Sequence, residues 1–273
     1  MDERRQIGAD VQPERQIIGD EGFVLYLDNV QALGWAQAYK RRTFALLAVE
    51  AGQRILDVGC GTGEDVRMLA SLVGKTGQVV GVDVSAARIE EARKRSEGSS
   101  LPVEYVVGDA HYLAFDDNTF DSCRADRTFQ HLALPQLALA EMIRVTRTGG
   151  RLVVSDPDWE TLIVDLPDQA VTRKILNFWC DSMRNGWMGR RLPGLFQQCG
   201  LTDITVITNT LMLTNYGLAN HLFQFQRTTE DAHKAGIITQ EEASNWLKDL
   251  EQASASGRFF CAVTGFGVGG RKP

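Results

Sequence analysis

The stretch Arg54-Ile-Leu-Asp-Val-Gly-Cys-Gly-Thr-Gly-Glu-Asp-Val-Arg-Met-Leu-Ala70 decides the fold of this chain. Residues 55–58 form a short apolar run before a group of glycines, which is typical of a buried parallel strand. The three glycines stand at alternate positions, and apolar residues then recur at the spacing of one helix face. The stretch therefore predicts a strand, a tight glycine turn and a helix.

The glycine turn predicts a ligand site, because ligands of open α/β sheets bind just beyond the carboxyl ends of the strands. Gly59, Gly61 and Gly63 permit positive φ angles and a close approach of the ligand to the backbone. Free N–H groups at the start of the helix favour a carboxylate or a phosphate. A dinucleotide turn needs its third glycine at position 64, where this chain has Glu64. A nicotinamide-dependent dehydrogenase is therefore disfavoured.

Composition narrows the class of protein. The 273 residues suffice for one large domain, or for a core domain with a smaller appendage, and 44% of them are hydrophobic. The net charge of −6 argues against a surface for nucleic acid or for anionic membranes. The five cysteines are scattered and form no Cys-x-x-Cys pair, which argues against a disulfide framework and against a structural zinc site.

Signals for export or membrane insertion are not evident in the chain. Residues 1–5 are mostly charged and precede no apolar segment, so we expect no signal peptide. No window approaches eighteen uninterrupted apolar residues, so we expect no membrane span. These observations predict a soluble, cytoplasmic protein.

Short apolar runs alternate with helical patterns through the first half of the chain, which predicts a parallel sheet with right-handed crossovers. After Asp156-Pro157 this alternation stops, and long helical patterns dominate. We therefore predict an N-terminal lid segment over residues 1–43 and a core domain over 44–273, with helical lid insertions at about 157–200 and 214–256. The predicted strands are 55–58, 79–84, 103–107, 121–125, 151–155, 202–213 and 258–268.

Acidic residues stand at the ends of the second and third predicted strands. Asp83 lies twenty residues after Gly63, where a carboxylate can accept hydrogen bonds from both hydroxyls of a ribose. Asp109 and Ala110 follow the third strand, where they can contact an adenine edge. The alternatives are a carboxylate that starts the next helix and an aspartate that stabilises a turn.

Five runs of sequence carry a resemblance to one family. Residues 55–63, 80–85 and 107–110 resemble the three cofactor-binding motifs of the class I S-adenosylmethionine (SAM)-dependent methyltransferases. Residues 115–121 and 140–154 resemble the later motifs of that family. The chain is most similar to the ubiquinone/menaquinone-biosynthesis group (methyltransferase type 11). One departure is Thr148, where the family has proline before Gly-Gly.

This resemblance implies a Rossmann-like α/β fold: a seven-stranded sheet with an antiparallel last strand, helices on both faces and a helical lid. It implies SAM as the cofactor, S-adenosylhomocysteine (SAH) as the product, and no metal. Asp57 would attract the ammonium of SAM, and the N–H groups of the turn its carboxylate. The implied cofactor-binding residues are Asp57, Gly59, Cys60, Gly61, Asp83, Val84, Asp109, Ala110 and Arg124.

The acceptor side is expected at the loop after the fourth strand and beyond the fifth. His131 is the candidate general base, because the pKa of histidine lies near neutrality, and a structural histidine is the alternative. Tyr26 is a candidate lid residue over the sulfonium, although packing within its apolar neighbourhood explains it equally well. The candidate substrate-binding residues are Asp126, Arg127, Gln130, Asp158 and Trp159.

The predicted function is methyl transfer to an O, N or C nucleophile of a small, apolar or aromatic metabolite. The aromatic residues Trp179, Trp187, Phe223 and Phe225 suit such an acceptor. The alternatives are a nucleic-acid or protein methyltransferase and a non-catalytic SAM- or SAH-binding module. An Asn/Asp-Pro-Pro-Tyr/Phe signature for flipped bases is missing after the fourth strand. The accepting atom stays open, as does the choice between a monomer and a homodimer.

Overall fold

The computed structural model describes residues 34–273, so Tyr26 and most of the predicted N-terminal segment lie outside the described residues. The described strands are β1 (Arg54–Val58), β2 (Gln78–Asp83), β3 (Val103–Val107), β4 (Phe120–Asp126), β5 (Thr146–Val164), β6 (Thr202–Leu213) and β7 (Cys261–Arg271). They form one sheet in the order β3-β2-β1-β4-β5-β7-β6. Strand β7 is antiparallel to both of its neighbours, and the other pairs are parallel.

Successive residues of a strand point to opposite sides of the sheet, so the apolar strands present apolar side chains on both faces. Helices cover both of these faces. The helices are α1 (Gly34–Leu47), α2 (Glu64–Val73), α3 (Ala86–Ser96), α4 (Pro135–Val145), α5 (Gln169–Ser182), α6 (Met188–Gln198), α7 (Tyr216–Phe223), α8 (Phe225–Lys234) and α9 (Gln240–Ala255). Ile55 packs with α1, α2 and α3 on one face, and Leu56 packs with α4 and α6 on the other. None of these described helices has the length and apolar content to span a membrane.

Strand β5 extends well beyond its predicted end at residue 155 and runs to Val164. Its last pairing with β4 joins Asp126 and Ser155, whereas its pairing with β7 continues past Pro157, which faces Gly265. Beyond Ser155 the strand is therefore an edge on the β4 side, where a proline without an N–H is tolerated. The Asp156-Pro157 pair consequently does not end the strand.

The predicted insertion over 157–200 is divided by the structure. Residues 157–164 belong to the sheet, and α6 packs on the sheet within the same core as β1 and β4. Helices α5, α7, α8 and α9 form a third apolar cluster with the extended parts of β5, β6 and β7. Within the predicted insertion over 214–256, residues 216–234 form two helices, which are separated by Gln224 at φ 50°.

Candidate functional site

The glycine turn after β1 has positive φ at all three glycines: 75° at Gly59, 52° at Gly61 and 74° at Gly63. It is also closely enclosed. A Cβ atom on Gly59 would lie 2.2 Å from Oγ1 of Thr128, and one on Gly63 would lie 2.5 Å from Oη of Tyr105. Backbone conformation and lack of space therefore both require glycine at these two positions.

Asp83 joins the glycine turn to the start of α3. Its carboxylate accepts hydrogen bonds from the N–H groups of Gly61 and Ser85, each at 2.9 Å, and the residue is 5% exposed. A carboxylate has about four lone-pair positions, so capacity remains for further donors. A ligand role for Asp83 was predictable from the sequence, whereas its support of the turn is evident only from these contacts.

Val84 and Cys60 flank this site in different ways. The side chain of Val84 is exposed at the carboxyl end of β2, and its 73% exposure leaves an apolar surface beside Asp83. The Cys60 side chain faces the sheet instead, since a Cβ atom on Gly81 would lie 2.8 Å from its Sγ. Cys60 therefore presents backbone rather than side chain to a ligand at the turn.

Asp109 is fixed by its neighbour His111. Oδ1 of Asp109 accepts a hydrogen bond from the backbone N–H of His111 and lies 2.6 Å from Nδ1 of its ring. Nε2 of the same ring accepts a hydrogen bond from the N–H of Leu134 at 3.2 Å, which places the proton on Nδ1. The loop after β3, including the buried Ala110, is thereby joined to the start of α4.

Beneath the glycine turn lies a buried charge cluster, which consists of Tyr39, Lys40, Asp57, Asp65, Arg124 and Asp126. Arg124 occupies its centre at 1% exposure. Nη1 of Arg124 bonds to Asp65 and lies 3.4 Å from Oδ1 of Asp57, while Nη2 lies 3.7 Å from Oδ2 of Asp126. On the α1 side, Lys40 pairs with Asp65 at 2.6 Å, and the Tyr39 hydroxyl donates to Asp126.

The carboxyl groups of this cluster differ in their pKa values. Burial raises the pKa of Asp57 to about 7, since Arg124 only partly offsets burial and the charges of Asp65 and Asp126 add to it. Burial opposes ionisation of Asp65 as well, but Arg124 and Lys40 outweigh it and hold the pKa of Asp65 below its usual value. Of these two carboxyl groups, Asp57 is therefore the one whose burial is less well offset by neighbouring cations.

The loop after β4, residues 127–134, is fixed to β5 at the point where the pairing of β5 with β4 ends. It contains a short 3-10 helix, Phe129–His131, whose first two N–H groups donate to the buried carboxylate of Asp156 at 3.1 and 3.3 Å. The N–H of Arg127, a residue with φ 53°, donates to the carbonyl of Ser155 at 2.7 Å. Asp156 lies within β5, one residue beyond the last pairing of β5 with β4, and is not among the predicted site residues.

The predicted substrate-binding residues have protein partners. Oε1 of Gln130 accepts a hydrogen bond from Nε1 of Trp159 at 2.7 Å, and Nε2 of Gln130 donates to the carbonyl of Arg127. Asp158 is 1% exposed and forms a two-pronged ion pair with Arg190 of α6. The structure thus brings Gln130 and Trp159 together, while Asp158 pairs with α6.

Aromatic side chains form a core next to Trp159. Its ring packs edge-on against Trp179 with centroids 4.7 Å apart, and Phe223 joins both rings. Of the four aromatics predicted for the lid, Trp179, Phe223 and Phe225 lie in this core. Trp187 is 39% exposed, with the guanidinium of Arg190 4.9 Å from its ring centroid.

Residues 49–244 match the profile of a family described as a methyltransferase domain. The match covers well over half of the chain. The chain belongs to this methyltransferase family. The predictions of a SAM-dependent methyltransferase, of SAM as its cofactor and of the Rossmann-like fold are therefore confirmed.

Two relatives and one solved structure show how far the likeness of this methyltransferase extends. It is 40% identical over 243 residues to an uncharacterised 37.1 kDa protein of transposon TN4556 from Streptomyces fradiae, which covers 88% of the chain and 69% of that protein. It is 32% identical over 155 residues to the ubiquinone/menaquinone biosynthesis C-methyltransferase UbiE of Saccharophagus degradans. That match covers 56% of this chain and 59% of UbiE. The chain thus spans less than two thirds of that UbiE.

The solved structure is phosphoethanolamine N-methyltransferase 2 of Haemonchus contortus in complex with SAM. It superposes with a TM-score of 0.54 at 20% identity, covering 85% of this methyltransferase and 52% of that chain. This likeness shows a shared fold. Within residues 34–273 of the methyltransferase, no group of three or more His, Cys, Asp or Glu side chains is placed to hold a metal ion.

Proposed function

We propose that this methyltransferase transfers the methyl group of SAM to an O, N or C nucleophile of a small, apolar or aromatic metabolite. One observation carries the proposal: the loop after β4 joins the glycine turn to the aromatic core. Thr128 packs against Gly59, and two residues later Gln130 is bonded to Trp159. The likeness to a C-methyltransferase supports carbon among the three accepting atoms.

The proposed cofactor site is formed by residues at the carboxyl ends of β1, β2 and β3. Asp57 faces the ammonium of SAM, and the N–H groups of the glycine turn face its carboxylate. Asp83 holds the ribose hydroxyls with its remaining lone pairs, and the exposed Val84 side chain lies against the adenine. Asp109 and Ala110 border the adenine edge. The buried, hydrogen-bonded state of Asp83 supports this assignment, because its carboxylate is already oriented before the ribose arrives.

Bound SAM supplies an electrophilic methyl group, and the protein supplies alignment of an in-line displacement. The loop after β4 provides this alignment, since Asp156, Ser155 and Trp159 hold it by hydrogen bonds. Asp126, Arg127 and Asp158 border the proposed acceptor site, and Gln130 and Trp159 shape its wall. Where the acceptor is a hydroxyl or an acidic carbon, His131 at the end of the 3-10 helix removes its proton.

A transfer assay tests the proposed acceptor class. The protein is incubated with SAM carrying a labelled methyl group, together with polyprenylated hydroquinones, simple phenols, bulk tRNA or histone. We expect label in the hydroquinone or phenol fraction only. Label in tRNA or histone would establish a macromolecular acceptor instead. Binding of SAM without transfer to any fraction of a wider metabolite extract would favour a non-catalytic module.

The role of His131 has its own test. In His131→Asn we expect kcat to fall by about a hundredfold or more and the acidic limb of the pH–rate profile to disappear, because the proton acceptor is lost. KM for SAM should stay unchanged. His221→Asn, at an exposed position on α7, is the matched control. An unchanged pH profile with lowered thermal stability would instead assign His131 a structural role.

A further inference from the structure

Helix α1 places a lysine in the interior beneath the glycine turn. The side chain of Lys40 is 3% exposed, and its Nζ lies 2.6 Å from Oδ1 of Asp65 on α2. Burial of an ammonium group is costly without a partner of opposite charge. The ion pair with Asp65 therefore explains how the protein tolerates a buried ammonium group at Lys40. It does not explain what a buried cation does at this position.

The buried charge cluster holds three carboxyl groups and two cationic side chains. Lys40 pairs with Asp65, and the guanidinium of Arg124 contacts Asp65, Asp57 and Asp126. Among residues 34–273, the ion-pair contact of Asp57 is the one of 3.4 Å to Nη1 of Arg124, which Asp57 shares with Asp65. Arg127 adds a third positive charge at the edge of the cluster, because its Nε lies 3.9 Å from Oδ2 of Asp126. Asp57 therefore depends on the cation that it shares with Asp65.

We infer that Lys40 is a positioning residue for the cofactor: by sharing Asp65 with Arg124, it leaves Arg124 available to Asp57 and keeps Asp57 ionised for the ammonium of SAM. The inference rests on the proposed function for the place of the ammonium. Because Lys40 lies on α1, the packing of α1 against the sheet then contributes to cofactor binding. Without Lys40, Asp65 would draw Arg124 more strongly, and the cluster would carry one more uncompensated negative charge.

Other groups around Asp57 set its ionisation as well. Burial raises the pKa of Asp57, and Lys40 is among the charges that lower it. The thiols of Cys60 and Cys123 stay neutral, because burial raises their pKa values. The charged or titratable groups that face Asp57 are Lys40 of α1, Cys60 of the turn, Asp65 of α2, and Cys123, Arg124 and Asp126 of β4.

The test is calorimetric binding of SAH between pH 6 and 8.5. In the wild-type protein, affinity should rise with pH through about 7, because the ammonium binds the ionised form of Asp57. In Lys40→Met the midpoint should move upward, with a Kd at pH 6 about tenfold weaker for each unit of displacement. Lys40→Arg should restore the wild-type profile, and Lys75→Met, at an exposed position after α2, should match it.

A second ligand separates this inference from the proposed function. 5′-Methylthioadenosine keeps the adenosine and lacks the amino-acid part, so its affinity should not change with pH or in Lys40→Met. A Lys40→Met protein of lowered thermal stability whose SAH profile keeps the wild-type midpoint would overturn the inference and leave the function standing. Failure of the wild-type protein to bind SAM, SAH and methylthioadenosine would overturn the proposed function itself.

Discussion

Replacement of Asp83 by alanine is expected to weaken SAH binding by about a hundredfold or more. The proposed hydrogen bonds from two ribose hydroxyls to a charged carboxylate contribute about 1.5 kcal/mol or more each. A loss of about 3 kcal/mol corresponds to two orders of magnitude in Kd. Titration calorimetry with SAH measures this change directly. A folded Asp83→Ala protein of wild-type affinity would contradict the ribose assignment.

The same substitution has a cost in stability that must be separated from its effect on binding. The N–H groups of Gly61 and Ser85 both lose their acceptor, and an unsatisfied buried donor costs about 1–3 kcal/mol. Asp83→Asn is the matched variant, since its amide oxygen still accepts one of these bonds. We expect Asp83→Asn to recover part of the thermal stability but little of the affinity for SAH.

Replacement of Gly59 by alanine is expected to lower the free energy of unfolding by about 2–5 kcal/mol. The left-handed backbone at φ 75° costs about 1–2 kcal/mol with a Cβ atom. The overlap with Thr128 adds about 1–3 kcal/mol of overpacking. Urea unfolding measures the sum, and SAH binding should be lost with the shape of the turn.

Two further variants divide this cost between backbone and overlap. Gly98 has a similar φ of 72°, but a Cβ atom there would meet nothing within 4 Å. Gly98→Ala should therefore report the backbone contribution alone. Adding Thr128→Ala to Gly59→Ala should recover stability, because it removes the two closest overlapping atoms, Oγ1 and Cγ2. Equal losses in Gly98→Ala and Gly59→Ala would show that Thr128 does not enclose the turn.

The sheet was predictable from local patterns, because its central strands are short apolar runs between turns. The glycine turn and Asp83 were predictable for the same reason, since each directly follows a strand. The N-cap of α3 is local as well, since the side chain of Ser85 accepts a hydrogen bond from the N–H of Arg88 three residues later. In these places the physics is local, and neighbours in sequence are sufficient to reveal it.

The buried charge cluster was beyond local patterns. Lys40 stands in a helix rich in polar residues, and only the tertiary contact with Asp65 shows that it is buried. Asp156 was missed because its partners, Phe129 and Gln130, lie 27 and 26 residues away. The length of β5 depended on a strand about a hundred residues later, since the pairing with β7 carries it past Pro157.

That pairing also constrains the order in which the chain can fold. Strand β7 lies between β5 and β6, although it is the last of the three in sequence. The ribosome therefore releases β6 well before β7, its only neighbour in the described sheet, has been made. The edge of β5 that pairs with β7 is likewise unpaired until then. Contacts at such sequence separation form slowly. During synthesis two strand edges stay open to chaperones or to aggregation until residues 261–271 emerge and enter between them.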